Sequence, residues 1–377
     1  MYITGAGRTK FGVLPQTMPE LAYEAMNSAI DDANADVRDI GAIFVSNFIG
    51  GPLNGQLHLN SLVASLLPGT NVPIVRVETA CASSSTALRQ AIFALDHYDM
   101  VMVLGVEKMN SRPIIGITEA IAMASDRQLD QASGMIFPAS YALIAQQYMR
   151  RYGIGHEVLE QVSLINHQNS RSNPLAHFYY KDVTLETIRK SPVVATPLNL
   201  FDCSPISDGA VALVLSRKRR SPRDIRILSS QYSTDTLSPS QRRDMTSFAA
   251  TKIAAHLAYQ EAGIRPEDVD LAEVHDCFTI SELVALDDLG FSEPGRAPEL
   301  IMDGQVLRDG SIPVNMDGGL KADGHPIGAT GLAQLYELMI QLRNEADVRQ
   351  VSDARIGLAQ NIGGIGGTAA VTLLGRD

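Results

Sequence analysis

The chain has 377 residues, 45% hydrophobic and 19% charged, with a formal net charge of −11, which describes a globular chain long enough for one large domain or two ordinary ones. The acidic balance disfavours nucleic acid or a membrane surface as general partner, and no apolar run is long enough to cross a bilayer. Three cysteines without paired spacing argue against a disulfide framework and for a reducing compartment, so the cytoplasm is expected.

Taken in order, "MYITGAGRTKFG" (1–12) reads as a first strand and turn without the apolar core of a signal peptide. "DDANADVRDIGAIFVSN" (31–47) reads as helix, turn and strand. The run Ile74-Val75-Arg76-Val77-Glu78 alternates as a strand does. After Cys81, residues Ala87, Leu88, Ala91, Ile92 and Leu95 recur at helical spacing, with Ser83, Ser84, Ser85 and Thr86 as capping candidates near the helix start. Cys81 thus lies at a helix mouth, where N–H groups and the helix dipole favour a thiolate. Position alone leaves inert burial as the alternative.

Residues 111–200 form an insertion rich in polar turns, of a size that commonly shapes a binding site. Cys203 is expected to pack against the sheet, and "DGAVALVLS" (208–216) to form a strand. "RKRRSPRDIR" (217–226) reads as a solvated linker or as a contact for an anionic ligand. Beyond it, "QEAGIRPEDVDLAEVHD" (260–276) lies over 31–47 without a gap: Ala262 meets Ala33, Asp268 meets Asp39, and Val274 meets Val45. Each half then opens an apolar helix from a turn of small residues and ends in a small-residue strand, "GTAAVTLLG" (367–375) in the second. Alternating strands and helices, duplicated, predict α/β layers.

Chemistry-bearing residues gather at three further places. "LAEVHDCFTISEL" (271–283) ends a strand at His275-Asp276-Cys277, where α/β proteins put reactive groups. "MDGGLKADGHPIGATG" (316–331) sets His325 in a turn before a helix. "GLAQNIGGIGGTAAVTLL" (357–374) places Gly363, Gly364, Gly366 and Gly367 between apolar runs. A dinucleotide fingerprint needs a helix after its glycines, and here a β-rich run follows. Close backbone approach to a ligand fits better. Cys81, His275, Cys277 and His325 have zinc-ligand chemistry but no paired spacing, so no metal is expected. His58, His97, His156, His167, His177 and His256 are expected to be structural.

In this order, "ETACASSS", "GMIFPASYALIAQQYMRRYG", "DCSPISDGA", "VHDCF", "GGLKADGHPIGATG" and "NIGGIGG" resemble the thiolase family, and within it the sterol-carrier-protein type. The resemblance spans nearly the full length. It implies an α/β fold, a duplicated five-layer αβαβα arrangement with an inserted loop domain (about 111–200) in the first half. The halves would be 1–220 and 221–377. It implies reversible Claisen chemistry on coenzyme A thioesters, with Cys81 as acyl-carrying nucleophile and His325 as its base. Other thiolases place a second acid/base cysteine where this chain has Asn361; the sterol-carrier-protein type carries it in "HDCF", which makes Cys277 the match. His275 and His325 are the side-chain donors for an enolate oxygen. The N–H groups of Cys81 and Gly363 are the match for the hole around the acylated cysteine. Met135, Phe137 and Pro138 would line an acyl pocket or pack in the core.

By the same resemblance coenzyme A is substrate and product, with no tightly bound cofactor. A homodimer or tetramer is implied, and a small OB-fold partner is possible for relatives of this subgroup. Two other readings are a thiolase-like subunit that works only in a complex and a ketosynthase-like condensing enzyme. Acyl chain length and the residues contacting coenzyme A are not readable.

Overall fold

The computed structural model describes residues 1–376. Its first repeat runs β1 (Tyr2–Arg8), α1 (Met18–Asp32), β2 (Ile43–Ser46), β3 (Ile74–Val77), α2 (Ser83–Ala94) and β4 (Met100–Glu107). The insertion follows with α3 (Ile114–Ala122), α4 (Phe137–Tyr152) and α5 (Glu157–Ser170), after which β5 (Gly209–Ser216) closes the repeat. The second repeat runs β6 (Ile225–Thr234), α6 (Ala249–Ala262), β7 (Leu271–Glu273), α7 (Thr279–Asp288), α8 (Thr330–Leu342), β8 (Ile356–Gly363) and β9 (Thr368–Gly375).

Nine strands join in the order β3-β2-β4-β5-β1-β6-β9-β8-β7. Outward from the centre the pattern repeats. β1–β5 and β5–β4 are antiparallel and β4–β2 parallel, as β6–β9, β9–β8 and β8–β7 are in turn. Where the first repeat adds β3, the second adds a single parallel bridge from Ala272 to Val314. The sequence echo is visible in bonds: Gly41 N–H donates to Met100 O at 2.9 Å, and Asp270 N–H to Ile356 O at 2.9 Å.

Strands with apolar residues on both faces are buried on both sides. In β4, Met100, Met102, Leu104 and Val106 pack towards α1, while Val101 and Val103 pack towards α2 and α8. Those two helices form the middle layer, where Ala87, Leu88 and Ala91 of α2 share one core with Leu332, Leu335, Leu338 and Leu342 of α8. Each such leucine contributes about 1.5–3 kcal/mol on burial. A Thr17–Glu20 capping box starts α1. Gly5 lets that helix lie close on β1, since a Cβ there would come within 2.4 Å of Ala29 O.

The insertion is helical between its polar turns, and α4 and α5 bury Tyr141, Ile144, Tyr148, Leu159 and Val162 in the core of the second repeat. The first repeat thereby reaches across to the second. The basic stretch 217–226 is largely exposed up to Pro222, and Arg223 pairs with Glu345 at 2.9 Å and Asp32 at 3.1 Å. Among the described residues no helix is long and apolar enough to cross a membrane.

Candidate active site

Between β3 and α2 the backbone makes an elbow. Ala80 adopts φ +51°, a left-handed conformation that costs a residue with a Cβ about 1–2 kcal/mol. Three contacts hold it: Ala80 N–H donates to Glu78 Oε1 at 2.6 Å, Thr79 N–H donates to Ser83 Oγ at 2.9 Å, and Ser83 Oγ donates to Ala80 O. The helix itself starts at Ala82 with no side-chain cap. Of the residues expected to cap it, Ser83 braces the elbow instead, Thr86 Oγ1 meets Thr79 Oγ1 at 2.9 Å, and Ser85 turns to Asn361. Cys81 follows this bend, buried, its sulfur facing the N–H of Gly364.

Helix-start position does not make Cys81 a thiolate. Burial pushes its thiol up to about 12, and the Glu107 carboxyl adds to the rise against the pull of Gly364 N–H. The dipole of a helix start supplies only about 0.3–1 kcal/mol at an exposed site, less than the lost hydration of a buried anion. Burial thus opposes ionisation of Cys81, and a thiol so placed would need a base to act as a nucleophile.

His325 stands beside it. Cys81 Sγ and one ring nitrogen each of His275 and His325 lie within 4.8 Å of one another. These ligand types converge only through the fold, which spacing in the sequence does not reveal. His325 Nδ1 is 2.7 Å from Thr330 Oγ1, whose own proton goes to Pro326 O at 3.1 Å. The hydroxyl can then only accept from the ring, so Nδ1 carries the imidazole proton and Nε2 keeps its lone pair. Burial pulls the His325 pKa down to about 3, so the ring rests neutral and ready to accept a proton. His275, fully buried, is held well below the usual imidazole range by burial and by His325. The two rings meet edge to face at 5.2 Å between centroids.

Cys277 is buried, and burial pushes its thiol well above the ordinary range. The Tyr141 hydroxyl bonds with it and donates to Gly364 O at 3.1 Å, while its ring stacks on Phe278 at 4.5 Å. Cys81, Cys277, His325 and Gly364 line one cavity of about 360 Å³ with Ile114, Ile136 and Ile327. A polar reacting end thus meets an apolar chamber.

Residues 1–219 match the family model "Thiolase, N-terminal domain", and residues 232–376 match "Thiolase C-terminal domain-like". The chain belongs to the thiolase family. It is 44% identical to an acetyl-CoA acetyltransferase of Methanothermobacter thermautotrophicus over 99% of each chain. It is 32% identical to sterol carrier protein 2 of Bos taurus, over 99% of this chain and 72% of that one. In fold it matches the solved "Ltp2-ChsH2(DUF35) aldolase" with TM-score 0.86 and 24% identity, over 100% of this chain and 97% of that chain. As a thiolase it is an acyltransferase that works on coenzyme A thioesters.

Within this thiolase site, Cys81, His275, Cys277 and His325 all come together. Gly364 lines the cavity, with φ +63°, a left-handed conformation that glycine adopts without strain. Gly363 sits one step back, where a Cβ would come within 2.4 Å of Thr79 O. Phe137 and Pro138 line the chamber and Met135 does not. Cys203, expected against the sheet, instead lines the chamber; burial pushes its thiol to about 12. None of the six histidines expected to be structural reaches the chamber. His156, for example, bonds Asp202 at 3.1 Å, and His177 bonds Ser207 at 2.9 Å. Sequence reasoning missed Tyr141 and Thr330, although Tyr141 stands within a quoted family stretch.

Proposed function

We propose that this thiolase transfers acyl groups through a covalent acyl-Cys81 intermediate, with acetyl-CoA and short 3-ketoacyl-CoA as its substrates. The observation that carries this reading is the convergence of the Cys81 sulfur with His275 and His325 within 4.8 Å at the end of an apolar chamber. In the cleavage direction His325 Nε2 takes the thiol proton as Cys81 Sγ attacks the 3-keto carbonyl. The N–H groups of Cys81 and of the Gly363-Gly364 turn receive the developing oxyanion. The bond between the α- and β-carbons then breaks, and its electron pair leaves as the enolate of acetyl-CoA. His275 and His325 face that oxygen, and Cys277 S–H protonates the carbon. Coenzyme A next attacks acyl-Cys81: its thiol proton restores Cys277, the acyl–Sγ bond breaks as the new thioester forms, and the leaving Cys81 sulfur recovers its proton from His325. The raised Cys277 thiol suits a proton donor. Coenzyme A enters and leaves as substrate and product, and the scheme uses no resident cofactor.

The acetyltransferase relative supports the short acyl group. We also propose that 1–220 and 221–377 act as the two thiolase halves and that the chain works in the cytoplasm. A homodimer forms along the β3 edge, where Val75 is exposed. A second reading, dependence on a small OB-fold partner, is favoured by one observation. Ile114 and Ile115 at the start of α3 are 64% and 71% exposed, and Ile114 also lines the chamber.

Intact-protein mass spectrometry after brief incubation with acetyl-CoA tests the first reading. One acetyl adduct is expected on the wild type and none on Cys81→Ala. Coenzyme A binding without an adduct would overturn it and favour the partner-dependent reading.

A further inference from the structure

Asn361 stands where other thiolases keep a cysteine, and it is buried at the end of β8. Its amide makes two bonds to opposite sides. Ser85 Oγ, on α2, donates to Asn361 Oδ1 at 3.0 Å, and Asn361 Nδ2 lies 2.9 Å from His275 Nδ1. An amide whose oxygen is taken by a hydroxyl proton presents its NH2 to the other neighbour. His275 Nδ1 must therefore accept, which leaves the ring proton on Nε2. That nitrogen is buried and has no hydrogen-bond partner within the chain. An N–H donor buried and unpaired costs about 1–3 kcal/mol, and such groups in native proteins call for an explanation. Space around the amide is reserved by Gly331. A Cβ there would come within 2.1 Å of Ser85 Oγ and 2.7 Å of Asn361 Oδ1.

We propose that Asn361 is a positioning residue that fixes His275 as the Nε2-protonated tautomer, so that the ring offers a donor to oxygen on the substrate. His325, locked by Thr330 with its Nε2 bare, offers the opposite. Two neutral histidines of the same site are thus set as one donor and one acceptor by two different side-chain partners. The role of that donor in turnover rests on the acyl-transfer reading above; the tautomer does not.

The test reads the ring directly. Histidine labelled with 15N is incorporated into the full chain, and the His275 signals are assigned by their loss in His275→Asn. Long-range 1H–15N correlation then reports which nitrogen is protonated. Wild type is expected to show His275 protonated on Nε2. In Asn361→Asp a carboxylate faces Nδ1 and can only accept, so the proton is expected on Nδ1. Acetyl transfer should then fall on the order of 10²–10³-fold, the loss typical of one oxyanion donor, mostly in kcat. Ser85→Ala frees the amide to turn over and is expected to give both tautomers, with thermal melting as the check that each variant folds. Nδ1 protonation in the wild type, or an unchanged tautomer in Asn361→Asp, would overturn the proposal. The Nε2–H signal without an acetyl adduct would sink the acyl-transfer reading and leave the tautomer assignment standing.

Discussion

The helix start of each repeat lies over a strand end of the other, and the two crossings have been put to different uses. The start of α8 sits over the end of β4, where Glu107 accepts from Phe48 N–H at 2.8 Å, Ile49 N–H at 3.2 Å and Gly328 N–H at 3.0 Å. Asn47 Nδ2 donates to the same carboxyl at 2.7 Å. Gly105 and Gly328 leave no room for more, since a Cβ on Gly105 would come within 2.6 Å of Gly328 O. The start of α2 sits over the end of β8, where Ser85 meets Asn361 and the Cys81 sulfur meets Gly364 N–H. Here the Glu78 carboxyl is spent on Ala80 N–H in the elbow, and the glycine turn faces a cavity. One crossing is satisfied from within and holds the repeats together. The other turns a backbone N–H towards a cavity, and the proposed chemistry belongs to that one.

His325→Ala is the largest test of this division. It removes the proposed base, which the turn leading into α8 holds out to Cys81 at the open crossing, and acyl transfer should fall on the order of 10²–10⁴-fold with a loss of stability no larger than the one bond to Thr330 explains, about 0.5–1.5 kcal/mol; a larger loss would blur the distinction between the crossings. Glu107→Ala is its mirror image. Three backbone donors left unsatisfied, at about 1–3 kcal/mol each, should destabilise the chain by about 3 kcal/mol or more in denaturant unfolding. A neutral result would mean that the sealed crossing is not a structural joint.

A pH series sharpens the electrostatic side. Because Cys81 is pushed up to about 12, its ionised fraction grows with pH across the whole neutral range. Alkylation of Cys81 by iodoacetamide, followed by peptide mass spectrometry, should rise about tenfold per pH unit from 6 to 9. A plateau near neutrality would instead indicate a preformed thiolate–imidazolium pair. The smallest effect is expected from Tyr141→Phe, which keeps the stacking on Phe278 and loses one hydroxyl. A neutral hydrogen bond is worth about 0.5–1.5 kcal/mol, so turnover should fall roughly two- to tenfold while the acetyl adduct on Cys81 still forms.

Much of this was legible before any coordinates. The helix mouth at Cys81, the strand end at His275-Asp276-Cys277 and the duplicated helix–turn–strand each follow from periodicity and turn residues, which report on neighbours along the chain. The bonds that tune the site are between strangers in sequence. Ser85 reaches Asn361, and Tyr141 crosses from the insertion to Gly364. No local pattern encodes those pairings; they exist only once the repeats cross. The rise of the Cys81 thiol was not legible for a related reason, since the burial that opposes the local dipole comes from residues far along the chain. Cys203 belongs here too: its place in the chamber depends on the insertion folding over the second repeat.

A nucleophile kept as a buried thiol has a consequence outside turnover. Peroxide attacks thiolates, and the step to sulfenic acid tracks thiolate character and exposure. With Cys81 protonated and 7% exposed, the idle enzyme presents almost nothing to oxidise. Cys277 is as deeply buried, whereas Cys203 is only half-buried. On the proposed reading, burial would slow the oxidation of Cys81 between turnovers, which peptide mass spectrometry after brief peroxide exposure would read as less sulfenic acid on the folded chain than on the unfolded one.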